Sequence, residues 1–110
     1  MTAADILLAT PGNPVPDGAI AGKVRTPDGV ALRFARWDGL ASGKGTVCVF
    51  GGRGEFIEKY FETVNDLRQR GFAVAAMDWR GQGHSSRQLA DPGKGHVDSF
   101  SEYETDVATF

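Results

Sequence analysis

The fold of this chain is decided by the stretch Val47–Tyr60, whose sequence is VCVFGGRGEFIEKY. A short apolar run ends at a glycine-rich segment, and an amphipathic pattern begins directly after it. This order predicts a buried strand, a loop that exposes backbone amides, and a helix N-terminus beside that loop. Such a junction favours the binding of an anion, either a phosphate or the oxyanion of an acyl-transfer transition state.

A β-hairpin is predicted before this stretch, from strands at Ala19–Thr26 and Val30–Trp37. The connecting residues Thr26–Gly29 have proline at the second turn position and glycine at the fourth, as a tight turn requires. In the second strand, apolar even-numbered positions alternate with a face that includes Arg33. This alternation predicts one buried side and one solvent-facing side, which is typical of an antiparallel pair.

A parallel βαβ unit is predicted from Thr46 onward. The residues Thr46–Phe50 are apolar and β-branched without alternation, so we expect a strand covered on both faces, with Cys48 as a buried structural thiol. Apolar residues then recur at helical spacing from Ile57 to Leu67, and Gly71 is a plausible helix stop. A second apolar run, Phe72–Met77, completes the unit.

The remaining segments are predicted to be loops and one helix. Residues 1–18 contain three prolines and are expected to form an extended arm, while residues 19–110 form one domain. The glycine- and proline-containing segment Gln88–Val97 is expected to be a loop, and Ser99 or Ser101 is expected to cap a final helix. Only about half of a covered sheet is present, so the pattern indicates the N-terminal part of a larger α/β domain.

The composition argues against several classes of partner. The 110 residues carry a formal net charge of −2 with scattered basic residues, which argues against nucleic-acid binding. One cysteine permits no internal disulfide. The first nine residues do not resemble a secretory signal, and no apolar run approaches the roughly 18 residues of a membrane span. A soluble cytoplasmic protein is therefore expected, and contact with a membrane surface stays open.

Two glycine-rich segments fail the nucleotide-binding patterns. No stretch supplies the Walker sequence. The dinucleotide pattern needs a third glycine, and its place is taken by Ile57 after Gly52-Arg53-Gly54 and by Ser86 after Gly81-Gln82-Gly83. A nucleotide site is therefore disfavoured.

Nucleophile and metal patterns are equally incomplete. Gly83-His84-Ser85 begins like a nucleophile elbow, but Arg87 stands where the last glycine belongs, so Ser85 is a poor candidate nucleophile. The two histidines, His84 and His96, lie in separate polar loops and have no metal-ligand spacing. We therefore predict neither a metal nor a cofactor.

Three motifs together carry a family resemblance. They are FGGRGE at Phe50–Glu55 followed by Lys59-Tyr60, DWRGQGHS at Asp78–Ser85, and GHVDSF at Gly95–Phe100 with Tyr103 and Asp106. In this order and spacing they resemble the monoacylglycerol-lipase-like group of α/β-hydrolases, and within it the bacterial lysophospholipases. The resemblance covers about Val47–Phe110 and implies an α/β fold in which the hairpin leads into the βαβ unit, with an incomplete sheet.

The resemblance assigns a role to the glycine loop, which we define as Gly51–Glu55. Counting the hairpin as two strands, this loop follows the third strand, where α/β-hydrolases place one oxyanion donor. On topology alone an ordinary strand-helix turn fits equally well. The resemblance implies that Gly52 is the family's loop glycine and that the backbone N–H of Arg53 is the donor, although Gly51 stands where the family has a histidine.

Other matched residues are expected to have structural or secondary roles. The resemblance implies that Asp78 and Arg80 form an ion pair and turn that shape their loop. His96 precedes any elbow, so it is not expected to be the triad base. The side chains of Arg53 and Lys59 either meet a substrate phosphate or lie in solvent or surface ion pairs. No other substrate-binding residue is assigned.

The resemblance implies a serine hydrolase that cleaves carboxylic esters of monoacyl lipids through an acyl-enzyme, of the lysophospholipase or monoacylglycerol lipase type. Its catalytic serine, acid and histidine are expected in a C-terminal half outside these 110 residues, so the chain alone is expected to be inactive. The alternative is a non-catalytic product, either truncated or a partner-binding α/β module.

Overall fold

The computed structural model describes residues 3–40, 43–87, 89 and 95–110. Within these ranges a short 3-10 helix, Ile57–Tyr60, leads directly into the second α-helix. The other elements, in chain order, are α1 Ala3–Ile6, β1 Ile20–Arg25, β2 Ala31–Trp37, β3 Thr46–Phe50, α2 Phe61–Gln69, β4 Ala73–Met77 and α3 Ser101–Thr109.

The four strands form one mixed sheet with the order β1-β2-β4-β3. Strand β2 runs antiparallel to both β1 and β4, whereas β3 and β4 are parallel. The predicted hairpin and βαβ unit are therefore confirmed. Because Phe50 pairs with Met77, the loops that follow β3 and β4 leave the same edge of the sheet. This register places the glycine loop beside the residues after β4.

The core lies between one face of the sheet and helix α2. Trp37 is fully buried and meets the ring of Phe61 edge to face, with centroids 6.3 Å apart. Val64 on α2 and Val74 on β4 are also buried in this cluster. Burial of these side chains, at about 1.5–3 kcal/mol each, holds α2 against the sheet and so fixes where the glycine loop enters the helix.

The expectation that β3 is covered on both faces is wrong. Val47 and Val49 are half-buried, but Thr46, Cys48 and Phe50 on the other face are exposed. Cys48 is therefore not the buried thiol that the apolar run predicted. The physical reason is that β3 lies at an edge of the sheet in the described chain, and of its residues only Val49 packs against the buried cluster.

The alternation in β2 also gave a wrong prediction for one side chain. Arg33, expected on a solvent-facing side, is fully buried, as are Leu32 and Ala35 on either side of it. By contrast, the predicted turn is confirmed, because the Gly29 N–H donates to the Thr26 carbonyl at 3.0 Å. Gly71 ends α2 with a φ of 96°, as expected of a left-handed helix stop.

The N-terminal arm is packed rather than fully extended. It begins with the single turn of α1, and Leu7 directly after α1 is almost completely buried in the core. At the other end, Phe100 occupies the N-cap position of α3, and the Ser101 N–H reaches the Ser99 hydroxyl at 3.3 Å. Of the predicted Gln88–Val97 loop, residues 88 and 90–94 lie outside the described part of the chain.

Candidate active site

The glycine loop is closed on itself by the side chain of Glu55. The backbone N–H of Gly52 donates to Oε1 of Glu55 at 2.5 Å, and the Tyr60 hydroxyl donates to the same oxygen at 2.7 Å. The Tyr60 and Gly52 donors hold the pKa of the Glu55 carboxyl below its ordinary value, so Glu55 is ionised at neutral pH. A charged carboxylate therefore occupies the Gly52 amide.

A second side chain occupies the amide at the other end of the loop. The Gly54 N–H donates to Oε1 of Gln82 at 2.6 Å, and the Glu55 N–H donates to the Gly52 carbonyl at 3.2 Å. Among the described residues no acceptor pairs with the N–H of Arg53. From Gly52 to Glu55, Arg53 thus presents the one backbone donor that the described part of the chain leaves open.

The start of the loop is held by an aromatic residue that follows β4. The indole N–H of Trp79 donates to the Gly51 carbonyl at 2.8 Å, and the Trp79 ring lies 5.6 Å from that of Phe50. Together with Gln82, this contact attaches both ends of the glycine loop to the segment Asp78–Arg87, which we call the β4 loop. A displacement of one loop alone would break its hydrogen bonds to the other loop.

A buried charge cluster lies beneath the two loops. The guanidinium of Arg33 on β2 donates Nη1 to Oε2 of Glu58 at 2.7 Å and Nη2 to Oε1 at 2.6 Å. Its Nε donates to Oδ2 of Asp78 at 2.7 Å, and Nη1 also reaches the Ile6 carbonyl at 3.0 Å. Arg33 therefore joins the arm, the 3-10 helix after the glycine loop, and the β4 loop.

The carboxylates of the cluster make further backbone contacts. Asp78 accepts the N–H of Ile57 at 3.0 Å and of His84 at 2.9 Å, while Glu58 accepts the Leu8 N–H at 2.9 Å. Burial raises the pKa of the Asp78 carboxyl despite these donors. Burial opposes ionisation of Glu58 too, but the hydrogen bonds from Arg33 and Leu8 outweigh it and lower the pKa of Glu58.

The expected ion pair between Asp78 and Arg80 is wrong. Asp78 pairs with Arg33, and Arg80 turns to the other side of the β4 loop. The reason is that each side chain has nearer partners of opposite charge, Arg33 for Asp78 and the carboxylates around Asp106 for Arg80. Both residues nevertheless shape the β4 loop, as the sequence predicted.

Arg80 is completely buried among three carboxylates. Its Nε and Nη2 lie 2.9 and 2.8 Å from Oδ1 of Asp106, and Nη1 lies 2.8 Å from Asp28 and 2.7 Å from Glu102. Burial works against the charged guanidinium, but the hydrogen bonds that Arg80 donates to Asp28 and Asp106 outweigh it and raise the pKa of Arg80. This cluster ties the β1–β2 turn and α3 to the β4 loop.

A cavity of about 690 Å³ opens between the arm, the glycine loop and the β4 loop. Its wall includes Leu8, Asn13, Arg53, Lys59, His84 and Arg87. Glycines of the two loops also line it, so backbone is accessible from inside. We call this space the basic cavity. Arg53 borders it, which brings the unpaired amide and the cavity to one place.

The residues considered as nucleophile or base are not brought together as a catalytic set. Ser85 is buried, where its hydroxyl donates to the Asp78 carbonyl at 2.7 Å and accepts the Arg33 N–H at 2.8 Å. His84 lies in the wall of the basic cavity. His96 contacts Asp98 at 2.6 Å on the surface. Ser85 thus supports the backbone.

Three residues of the site were missed from the sequence. The sequence did not single out Glu58, it placed Arg33 on a solvent-facing side of its strand, and it gave Gln82 no role beyond its motif. The sequence did contain one signal for Arg33, because a lone charge inside an apolar strand is costly unless it has partners. Nothing local identified Glu58 as that partner.

The described residues hold no cluster of histidine, cysteine and acidic side chains suited to a metal ion. In the same part of the chain, no helix has the length and apolar character needed to cross a membrane.

The sequence comparison identifies related proteins over most of the chain. Residues 41–110 match the family model described as serine aminopeptidase, S33. Lysophospholipase L2 of Escherichia coli K12 is 42% identical over 83 residues, which cover 76% of this chain and 24% of that relative. The chain thus spans about a quarter of the length of that curated relative.

Solved structures share the same arrangement of elements. A thermostable carboxyl esterase from Bacillus coagulans matches with a TM-score of 0.57 at 23% identity, over 63% of this chain and 23% of its own. An esterase from Exiguobacterium antarcticum matches with a TM-score of 0.61 at 16% identity, over 82% of this chain and 30% of its own. At such identities these likenesses concern the fold.

Proposed function

The chain belongs to the serine aminopeptidase, S33, family of α/β-hydrolases, and from this premise we propose that its glycine loop is the oxyanion loop of a serine ester hydrolase. In such an enzyme a serine attacks the ester carbonyl, and negative charge develops on the carbonyl oxygen. A backbone N–H aimed at that oxygen stabilises the charge in the transition state. The proposed donor is the N–H of Arg53.

The observation that carries this proposal is the distribution of hydrogen bonds in the loop. The amides of Gly52 and Gly54 are occupied by Glu55 and Gln82, while the described residues leave the Arg53 N–H between them without an acceptor. The two side-chain hydrogen bonds hold the backbone on either side of one open donor, which is the fixed geometry that an oxyanion site needs. This pattern favours the oxyanion role over an ordinary strand-helix turn.

The proposed substrate is the carboxylic ester of a monoacyl lipid. The similarity to Escherichia coli lysophospholipase L2 supports this class, in either the lysophospholipase or the monoacylglycerol lipase form. A cytoplasmic location with contact at a membrane surface is part of the proposal, because a lipid substrate is presented there.

The triad serine, acid and histidine are proposed to lie outside these 110 residues. Ser85, the serine nearest to an elbow motif, is buried and hydrogen-bonded in a structural role. We therefore expect the isolated chain to show no turnover of a p-nitrophenyl ester. Turnover that a single substitution in this chain abolishes would contradict the proposal.

The direct test grafts this chain into a working enzyme. Its aligned residues replace the matching segment of Escherichia coli lysophospholipase L2, and hydrolysis of an uncharged p-nitrophenyl ester is measured. Arg53→Pro removes the backbone N–H, whereas the matched variant Arg53→Ala shortens the side chain and keeps that N–H. We expect kcat to fall about a hundredfold further in the proline variant than in the alanine variant. Equal rates would overturn the assignment of Arg53.

A further inference from the structure

The basic cavity has an excess of positive charge. Its wall carries Arg53, Lys59 and Arg87, and its one carboxylate among the described residues is Glu58. Both oxygens of Glu58 are already occupied by the guanidinium of Arg33. The Arg33–Glu58 pair is internally neutral, so the positive charge of the wall comes from its other cations, among them Arg53 and Lys59.

Two of these cations are available to a ligand. Within the described part of the chain, neither Arg53 nor Lys59 forms an ion pair within 4.0 Å. Lys59 attracts Glu55 through space, but the Glu55 carboxylate bonds to the Gly52 amide and the Tyr60 hydroxyl instead. The Lys59 Nζ stands 5.3 Å from the ring of Phe56, another residue of the cavity wall.

The size of the cavity is sufficient for a lipid head group. Its volume of about 690 Å³ lies within the range typical of ligand sites. Gly54, Gly81, Gly83 and Gly95 line it, so a ligand can approach the backbone closely. A Cβ on Gly95 would lie 3.9 Å from Nη2 of Arg53, which shows that the guanidinium extends towards the opposite wall.

We propose that the basic cavity binds the phosphate group of the substrate's head group, with Arg53 and Lys59 as its ligands. The substrate is then a lysophospholipid, and an uncharged monoacylglycerol is the poorer ligand. This assignment rests on the proposed function, because it takes the ester to be that of a monoacyl lipid.

The chemistry favours a phosphate over the acyl chain as occupant. An apolar chain would displace water from Arg53 and Lys59 without replacing the hydrogen bonds that this water supplies. A phosphate replaces that water with charge-assisted hydrogen bonds, and arginine and lysine are the side chains that proteins use for this purpose. Arg53 also places this cavity directly beside the proposed oxyanion donor, so head group and ester are neighbours as they are in the lipid.

Binding to the full 110-residue chain tests the proposal without any need for turnover. Isothermal titration calorimetry compares inorganic phosphate, a short-chain lysophosphatidylglycerol below its micellar concentration, and the monoacylglycerol with the same acyl chain. We expect the lysophospholipid to bind at least tenfold more tightly than the monoacylglycerol, and also more tightly than inorganic phosphate. Equal binding of the two lipids overturns the phosphate site, and equal binding of the lysophospholipid and inorganic phosphate overturns the head-group assignment.

A matched pair of double variants locates the site. Arg53→Gln with Lys59→Gln removes two charges from the cavity wall, and Lys23→Gln with Arg36→Gln removes two charges from the β1–β2 hairpin. We expect the first pair to weaken lysophospholipid binding at least tenfold and the second pair to leave it within about twofold. Equal losses in both would show that only net charge matters and would overturn the proposal.

The outcome is separable from that of the proposed function. The proline test at Arg53 uses an uncharged ester and reports on the amide, whereas calorimetry reports on the side chains. A grafted enzyme that depends on the Arg53 N–H but whose chain shows no preference for the lysophospholipid would retain the oxyanion loop and refute the phosphate cavity.

Discussion

Nη2 of Arg33 lies 2.6 Å from Oε1 of Glu58, and the two side chains are joined across 25 positions of sequence. The parallel bond from Nη1 to Oε2 makes the pair bidentate, the geometry in which an arginine-carboxylate bond is strongest. The pair fixes the 3-10 helix that follows the glycine loop to the centre of the sheet. The position of the loop therefore depends on a strand to which it is not adjacent in sequence.

Removal of Arg33 is predicted to destabilise the chain strongly. Arg33→Met leaves Glu58 and Asp78 buried without their counter-charge, and breaking such a pair costs about 3–5 kcal/mol in the free energy of unfolding. The control is Arg36→Met on the same strand, where an exposed pair with Asp38 contributes about 0–1 kcal/mol. Urea unfolding followed by tryptophan fluorescence measures both, and similar losses would contradict a special role for Arg33.

A methyl group at Gly83 is predicted to disrupt the β4 loop. An added Cβ would overlap the carboxylate of Asp78, which Arg33 holds in place, so neither group can yield easily. The matched control is Gly12→Ala, because Gly12 also has positive φ but open space around its Cβ position. We expect Gly83→Ala to cost about 1–3 kcal/mol more than Gly12→Ala in urea unfolding. Equal costs would indicate that only the backbone conformation matters there.

Acid is predicted to weaken the cluster around Arg80. The hydrogen bond from Arg80 holds the pKa of Asp28 at about 2, below its ordinary value of 3.8. Since the folded-state pKa is the lower one, the stabilisation is complete above the ordinary value and is lost as the pH falls from 3.8 towards 2. In the Asp28→Asn variant, the free energy of unfolding should fall less steeply between pH 3.8 and about 2 than in the unchanged protein. Parallel curves for the two proteins would contradict the pairing.

Loss of the Gln82 side-chain amide is predicted to loosen the glycine loop. Gln82→Leu removes the acceptor of the Gly54 N–H, and a neutral hydrogen bond of about 1 kcal/mol corresponds to a roughly fivefold change in an opening equilibrium. Hydrogen exchange followed by NMR should therefore show Gly54 exchanging roughly fivefold faster. Gln69→Leu on the exposed face of α2 is the control, and an equal effect there would rule out the specific contact.

The strands and the second helix were predictable because their signals are local. The turn Thr26–Gly29 and the helix stop at Gly71 depend on conformations that proline and glycine favour in any context. The continuous apolar run Thr46–Phe50 gave a correct strand with a wrong environment. Composition alone does not distinguish a strand that is covered on both faces from a strand at the edge of a sheet.

The charge clusters were not predictable, because burial of a charge is decided by partners far away in sequence. Arg33 is hydrogen-bonded to Asp78, 45 positions away in sequence, and Gln82 is hydrogen-bonded to Gly54, 28 positions away. The position of the glycine loop after β3 could be predicted from the sequence. Which backbone N–H has no acceptor depends on two side chains. Glu55 folds back onto the Gly52 N–H, and Gln82 reaches the Gly54 N–H from the β4 loop.

The main chain and the side chain of Arg53 have different proposed roles. Its donor belongs to the main chain and is independent of which side chain follows, apart from proline. Its guanidinium borders the basic cavity and can be exchanged without moving the clamps at Gly52 and Gly54. A point mutation at this position can therefore change the side chain at the basic cavity while keeping the proposed oxyanion donor. Among related proteins we therefore expect many different side chains at this position but no proline, because proline lacks the backbone N–H.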